Sequence, residues 1–127
     1  MSAAAAVVGV NHAQVNVPTA GLEAARDFYM GFLGLKEIHR PPVFKSPGIW
    51  LNAGTFELHI GVEDGVERKT RAHIALQVTG LSEWRRRIEA KGWKIVEQPK
   101  IPNYDRFHFR DPFGNNLELI ERADAGG

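Results

Sequence analysis

Val10-Asn11-His12-Ala13-Gln14-Val15-Asn16-Val17 and Arg71-Ala72-His73-Ile74-Ala75-Leu76-Gln77-Val78 are two versions of one strand. Each has a His at its third place and alternating apolar residues after it. The spacing is 73 − 12 = 61. Phe56-Glu57-Leu58 and Leu117-Glu118-Leu119 repeat in the same way, with 118 − 57 = 61. Two separate strand pairs share one offset, which is the mark of a duplicated unit. In each copy the first strand offers a His and the last strand a Glu.

The rest of the chain fills in between these anchors. Val8 to Val17 reads as a strand that Pro18 ends. Leu22, Ala25, Phe28, Tyr29, Phe32 and Leu33 recur at steps of three and four, which predicts an amphipathic helix. Thr19 suits its N-cap and Gly34 the left-handed position after its end. Leu35–Arg40, Ile49–Asn52 and Phe56–Val62 read as strands, with a break at Arg40-Pro41-Pro42 and a tight turn at Asn52 to Thr55. Glu63–Arg71 is polar and reads as the linker. The order then recurs: a strand over Ala72–Val78, a helix marked by Leu81, Trp84 and Ile88 and ended by Gly92, and strands over Trp93–Glu97, Arg106–Arg110 and Asn116–Arg122. Asp111-Pro112-Phe113-Gly114-Asn115 is a strong turn sequence between the last two. The expectation is an α+β protein of two βαβββ modules, about 7–62 and 71–122, in a single domain of 127 residues.

Composition narrows the function. Hydrophobic residues at 43% and charged residues at 24% suit a packed core with a soluble surface. The absence of cysteine removes thiolates, so any metal rests on His, Asp or Glu. A net charge of +1 argues against a nucleic-acid partner. The run Arg85-Arg86-Arg87 sits beside Glu83 and Glu89 and reads as a solvated helix face. The first ten residues lack a basic n-region and are too short to span a bilayer. A cytoplasmic protein with no membrane contact is expected, with a frayed start and a loose tail from Ala123 to Gly127.

Side chains alternate along a strand, so Glu57 and Glu118 point away from Leu58, Leu117 and Leu119. A carboxylate facing a sheet interior is costly unless paired or metal-bound. His12, Glu57, His73 and Glu118 around one divalent ion would remove that cost, with Ni, Co, Zn, Mn or Fe as candidates. His59 lies two after Glu57, on the same face, and is the rival fourth ligand. Its partner in the repeat is Ile120, which favours Glu57.

Asn11-His12, Arg26-Asp27-Phe28-Tyr29 with Phe32-Leu33-Gly34-Leu35, Ala72-His73-Ile74-Ala75-Leu76, and Phe109-Arg110-Asp111-Pro112-Phe113-Gly114-Asn115-Asn116-Leu117-Glu118 together resemble the vicinal oxygen chelate superfamily. That superfamily holds glyoxalase I, methylmalonyl-CoA epimerase, fosfomycin-resistance enzymes, extradiol dioxygenases and bleomycin-binding proteins. The resemblance runs from about Val8 to Arg122. It implies an open, cup-shaped mixed sheet with helices on the outer face. It implies a metal ligated from the first and last strand of each module, carried over to His12, Glu57, His73 and Glu118. It also implies a homodimer, with the site built within one chain or shared between two, and a small-molecule substrate rich in oxygen.

Within the superfamily, the positions that grip glutathione in glyoxalase I hold Asn16 and Gly61 here. The late arginine of the fosfomycin enzymes would fall at Gly127, and a Tyr ten before the Glu in extradiol dioxygenases falls at His108. The resemblance therefore implies a lyase- or isomerase-like proton transfer, with Glu118 or Glu57 as the base. An extradiol-type dioxygenase, or a resistance protein that binds an antibiotic or toxin without catalysis, is the alternative. His59, Trp50, Tyr104, Arg106 and His108 are the candidate substrate contacts. Arg106, His108 and Arg110 form a basic rim if Phe107 and Phe109 face a helix, or Arg106 and Arg110 simply end in solvent.

Overall fold

Strand pairing in the computed structural model follows the duplication. Residues 4–123 are described; the tail expected to be loose lies, beyond Ala123, outside the described residues. The chain divides between Asp64 and Gly65, inside the polar linker, into two compact units. In the first, β1 (His12–Val17), β2 (Lys36–Ile38), β3 (Ile49–Asn52) and β4 (Glu57–Val62) form a sheet of order β1-β4-β3-β2. In the second, β5 (His73–Gln77), β6 (Ile95–Glu97), β7 (Tyr104–Arg110) and β8 (Asn116–Arg122) form a sheet of order β5-β8-β7-β6. The first and last strands of each module pair in parallel and the other pairs are antiparallel. Each module is thus βαβββ with a mixed sheet, and the chain is α+β as its sequence predicts.

Alternation decides what each sheet buries. Leu51, Leu58 and Ile60 are buried in the first module, with Ala25, Phe28 and Tyr29 from the helical segment. Phe107, Phe109, Leu117 and Leu119 are buried in the second, with Leu81 and Ile88 from α2 (Leu81–Ala90). The helix α2 packs on β6 and β8. Glu57, His59 and Glu118 fall on the opposite parity, so the residues read as chemical face away from these cores.

The first helical segment departs from the regular helix expected. A 3-10 turn at Thr19–Gly21 leads to α1 (Leu22–Arg26), which widens into a π-helical turn at Asp27–Phe32. The amide of Leu33 bonds the Phe28 carbonyl at 2.9 Å, five residues back. The wider turn lets the neighbours Phe28 and Tyr29 both go inside, at 2% and 0% exposure. Gly34 takes the left-handed conformation expected, at φ 81°.

Thr19 is not the cap that was expected. Its amide and hydroxyl instead donate to the two oxygens of Asp64, at 2.8 and 2.7 Å. The second module repeats the device. Glu121, near the end of β8, accepts from the amides of Gly80 and Leu81 at 2.7 and 3.1 Å. An acid at the close of each module thus satisfies amides at the start of its helical segment, which would otherwise lack partners. The arginine run is paired as a helix surface: Arg85 with Glu97, and Arg86 and Arg87 with Glu83.

Two stability predictions follow from this packing. Glu121→Ala should cost about 1 kcal/mol, the usual worth of a helix cap, and Leu119→Ala about 2–5 kcal/mol for an apolar cavity. Urea unfolding followed by circular dichroism measures both, and equal losses would overturn the ranking. The Arg85 hydrogen bond also holds Glu97 below the usual carboxylate range. That pairing adds stability above the ordinary carboxylate pKa and loses it as pH falls through the depressed one. Glu97→Gln should flatten the acid limb of the unfolding profile by a small amount, because the pair is largely exposed.

Candidate metal centre

The turn Asp111–Asn115 fixes the second module's key strand pair. The Asp111 side chain is buried, and its Oδ1 accepts from the amides of Phe113 and Asn115 at 2.9 and 2.8 Å. This locks β7 to β8 with His108 opposite Glu118 and Phe109 opposite Leu117. On the other side of β8, β5 pairs Ala75 with Glu118 and His73 with Asn116. Two histidines from neighbouring strands therefore flank one carboxylate.

Glu118 Oε1 lies 3.0 Å from His73 Nε2 and 2.9 Å from His108 Nε2. Its Oε2 lies 3.4 Å from Arg106 Nη1. The Glu118 side chain is only 5% exposed. His73 Nδ1 sits 3.1 Å from the Arg71 carbonyl, which can only accept, so Nδ1 carries the hydrogen. A neutral His73 then turns its Nε2 lone pair toward a carboxylate oxygen. Two acceptors at 3.0 Å require a cation between them, either a proton or a metal ion. Two ligands bound at right angles to one ion, each at ~2.1 Å, stand about 3 Å apart, so these spacings suit adjacent coordination positions. Among the described residues, His73, His108 and Glu118 are the one group of three such side chains whose ligand atoms lie within 4.8 Å of one another.

The first module arranges its residues differently. His12 Nδ1 is 2.8 Å from Asn11 Oδ1, which leaves Nε2 as the ring nitrogen that Asn11 does not engage. His59 lies between two rings. Trp50 stacks on it with centroids 4.1 Å apart and planes 5° apart, and His12 with centroids 4.2 Å apart and planes 14° apart. His59 Nε2 is 2.9 Å from Glu57 Oε1. His12, Trp50, Glu57 and His59 line a recess of about 550 Å³, with Arg40 and Phe44 at its wall.

The ladder of partners aligns the last strands differently from the offset of 61. His12 is paired with Glu57, but His73 is paired with Asn116. The first strands keep the offset of 61, whereas the last strands follow 116 − 57 = 59. The counterpart of Glu118 is therefore His59, since 118 − 59 = 59, and that of His108 is Trp50, because these pair with Glu118 and His59. Burial agrees: His59 and Glu118 are 6% and 4% exposed, whereas the Glu57 side chain is 41% exposed. The slip is two residues, so it preserves which face each side chain takes, and alternation alone does not reveal it.

The expected basic rim is partly spent elsewhere. Phe107 and Phe109 are fully buried, which leaves Arg106, His108 and Arg110 on the other face. Arg106 also bonds the Pro99 carbonyl through Nε and Nη2, and Arg110 bonds the carbonyls of Gly114 and Thr70. His73, His108, Arg106 and Arg110 line a recess of about 340 Å³. Tyr104 lines a separate one beside α2, with Arg122 5.7 Å from its ring centroid. Arg40 and Phe44 had no signal in the sequence, where Arg40-Pro41-Pro42 reads only as a strand break.

The profile of the Glyoxalase/Bleomycin resistance protein/Dioxygenase superfamily matches residues 9–119. No curated protein matches the chain. Among solved structures, a glyoxalase family protein from Bacillus anthracis is 34% identical, with a TM-score of 0.84 over 94% of this chain and 99% of its own. The fosfomycin resistance protein FosX from Listeria monocytogenes is 22% identical, with a TM-score of 0.76 over 93% of this chain and 92% of its own. One of its structures is a complex with Mn(II) and 1S,2S-dihydroxypropylphosphonic acid. An antibiotic binding protein from Streptomyces sp. CB03234 is 18% identical, with a TM-score of 0.71 over 94% of this chain and 99% of its own. At these lower identities the likeness shows the fold. No helix among the described residues is long and apolar enough to cross a membrane.

Metal should stabilise the folded chain. At a hundredfold excess over Kd, a single-site ion adds about 2.7 kcal/mol. Thermal unfolding with and without Zn(II) reads this increment, and Glu118→Ala should abolish it. An increment that survives the substitution would remove Glu118 from the ligand set.

Proposed function

The chain belongs to the Glyoxalase/Bleomycin resistance protein/Dioxygenase superfamily, and from that premise we propose a metal-dependent enzyme acting on a small substrate with a carbonyl or paired oxygens. The reaction proposed is a lyase- or isomerase-like proton transfer. One observation carries the reading: a single buried carboxylate oxygen, Glu118 Oε1, faces two imidazole nitrogens at 3.0 and 2.9 Å. His73 and Glu118 are the holding residues in the second module, with His108 as a further nitrogen on the same oxygen. The first module offers His12, with His59 or Glu57 beside it. A divalent ion held by His73 and Glu118 would supply a Lewis acid for paired substrate oxygens and so acidify the adjacent C–H.

The chain's own groups divide the remaining work. Glu118 is buried and meets three side chains, so its role is to hold. Arg106 links Oε2 to the Pro99 carbonyl and fixes the orientation of that carboxylate. Glu57 is 41% exposed and meets one partner, His59, which makes it the carboxylate free to accept and return a proton. His59 orients Glu57 through Nε2 and is itself held by the ring stack.

A second reading rests on the donor set. Two histidines and one carboxylate within 4.8 Å match the ligand class of non-haem Fe(II) oxygenases. Metal identity separates the two: Ni, Co or Zn supports the lyase or isomerase, and Fe or Mn supports the dioxygenase. A homodimer is part of the proposal, and sedimentation velocity measures it.

Elemental analysis of tag-free protein, with and without EDTA, tests the premise. Stoichiometric metal is expected, and none under any loading condition would leave a binding module without catalysis. Exchange of the hydroxyacetone C–H into D2O tests the chemistry. Glu57→Gln should keep the metal and slow exchange by about 10²–10⁴. An unchanged exchange rate would take the base role from Glu57.

A further inference from the structure

The recess of the first module contains an arginine that no carboxylate among the described residues pairs with, although Glu57 lines the same recess. Arg40 is half-buried at its wall. Its Nη2 donates to the Ser46 carbonyl at 2.9 Å, and its guanidinium carbon lies 4.6 Å from the Phe44 ring centroid. Its Nε is shut off from solvent and has no hydrogen-bond partner. Among the described residues, no carboxylate pairs with Arg40. A buried N–H left unmade costs about 1–3 kcal/mol, so this seat needs an explanation beyond packing.

The surrounding sequence is shaped to the guanidinium. A Cβ at Gly48 would stand 3.0 Å from Arg40 Nη2 and 2.8 Å from the Ile60 carbonyl, so only glycine leaves the space. Pro41 and Pro42 fix the backbone that follows Arg40. The remaining walls combine apolar surface with the imidazoles of His12 and His59 and the carboxylate of Glu57, which is paired with His59. Phe44, Pro47 and Trp50 supply the apolar part, and His12 presents Nε2. Phe44 is 46% exposed, which is high for an aromatic side chain with no ligand against it.

We propose that this recess takes a small organic monocarboxylate with an apolar or aromatic body, its carboxylate on Arg40 and its body against Phe44 and Trp50. One guanidinium matches one negative charge, and its planar fork matches a carboxylate. The inference rests on the proposed function only in taking this anion for the substrate. The binding itself is independent of metal.

The test uses the full chain stripped with EDTA, so that no carboxylate binds through metal. Benzoate is the probe and benzamide its uncharged match, read by calorimetry and by the Arg40 Nε–H resonance. Benzoate should bind at least about tenfold tighter than benzamide, or ~1.4 kcal/mol. Arg40→Met should remove that preference, and Arg40→Lys should restore only part of it. In the wild-type protein the Nε–H resonance should shift with benzoate and stay still with benzamide, a result that stands even where Arg40→Met fails to fold. Equal binding of both probes, no binding of either, or a silent Nε–H would overturn the proposal. Inorganic phosphate binding as well as benzoate would also overturn it, by showing a general anion site. Failure of the metal reading leaves all of these outcomes unchanged.

Discussion

The parallel pair between the first and last strand of each module is the constraint on which the site depends. A parallel neighbour cannot be reached by a hairpin, so the chain must cross over through a helix and two further strands before it returns. The last strand then lies between the first strand and its own hairpin partner. Whatever it carries on its polar face is flanked from both sides. That is why Glu118 meets His73 on one side and His108 on the other, and why His59 meets His12 and Trp50. The turn Asp111–Asn115 sets the hairpin pair of the second cluster. Both clusters follow from strand order and from the period of two along each strand.

Closing acids stabilise this arrangement. At the start of each module's helical segment Asp64 takes the amide and hydroxyl of Thr19, and Glu121 takes the amides of Gly80 and Leu81. In doing so they fasten the crossover to the end of the strand it must return to. The helix start and the last strand are therefore coupled by charge-assisted hydrogen bonds, which are stronger than neutral ones. The sequence contains both acids, but nothing local marks them. Their partners are 45 and 41 residues away.

Much of the architecture was legible before the structure, because duplication doubles each signal. The strand at Asn116–Arg122, the helix from Leu81 and the buried Phe107 and Phe109 all follow from alternation and turn chemistry. The repeat singles out His12, His73 and Glu118 as candidates. For the fourth position the ladder gives another counterpart than the repeat does, for a definite reason. Flanking leucines align Glu57 with Glu118, yet the last strand of the second module is drawn two residues along relative to its first. Two is the period of the strand, so the shift changes no face and no hydrophobic pattern. Only the ladder of partners exposes it. Arg40 escaped for a different reason: its meaning comes from Gly48, Phe44 and Ser46, which fold against it from a segment with no periodicity.

The slip makes the two halves of a duplicated protein chemically unequal. In the second module the central residue is a carboxylate, and its neighbours are an imidazole on each side and a guanidinium. Such a cluster would suit a cation, because it gathers negative charge and lone pairs on one buried oxygen. In the first module the same position holds an imidazole between an indole and a second imidazole. That stack gathers polarizable, neutral surface instead, and an unpaired guanidinium borders the recess beside it. On the proposed readings, one module would hold a metal ion and the other an organic anion. The two-residue slip is what separates these roles, because it sets Glu118 at the ladder position that His59 takes in the first module.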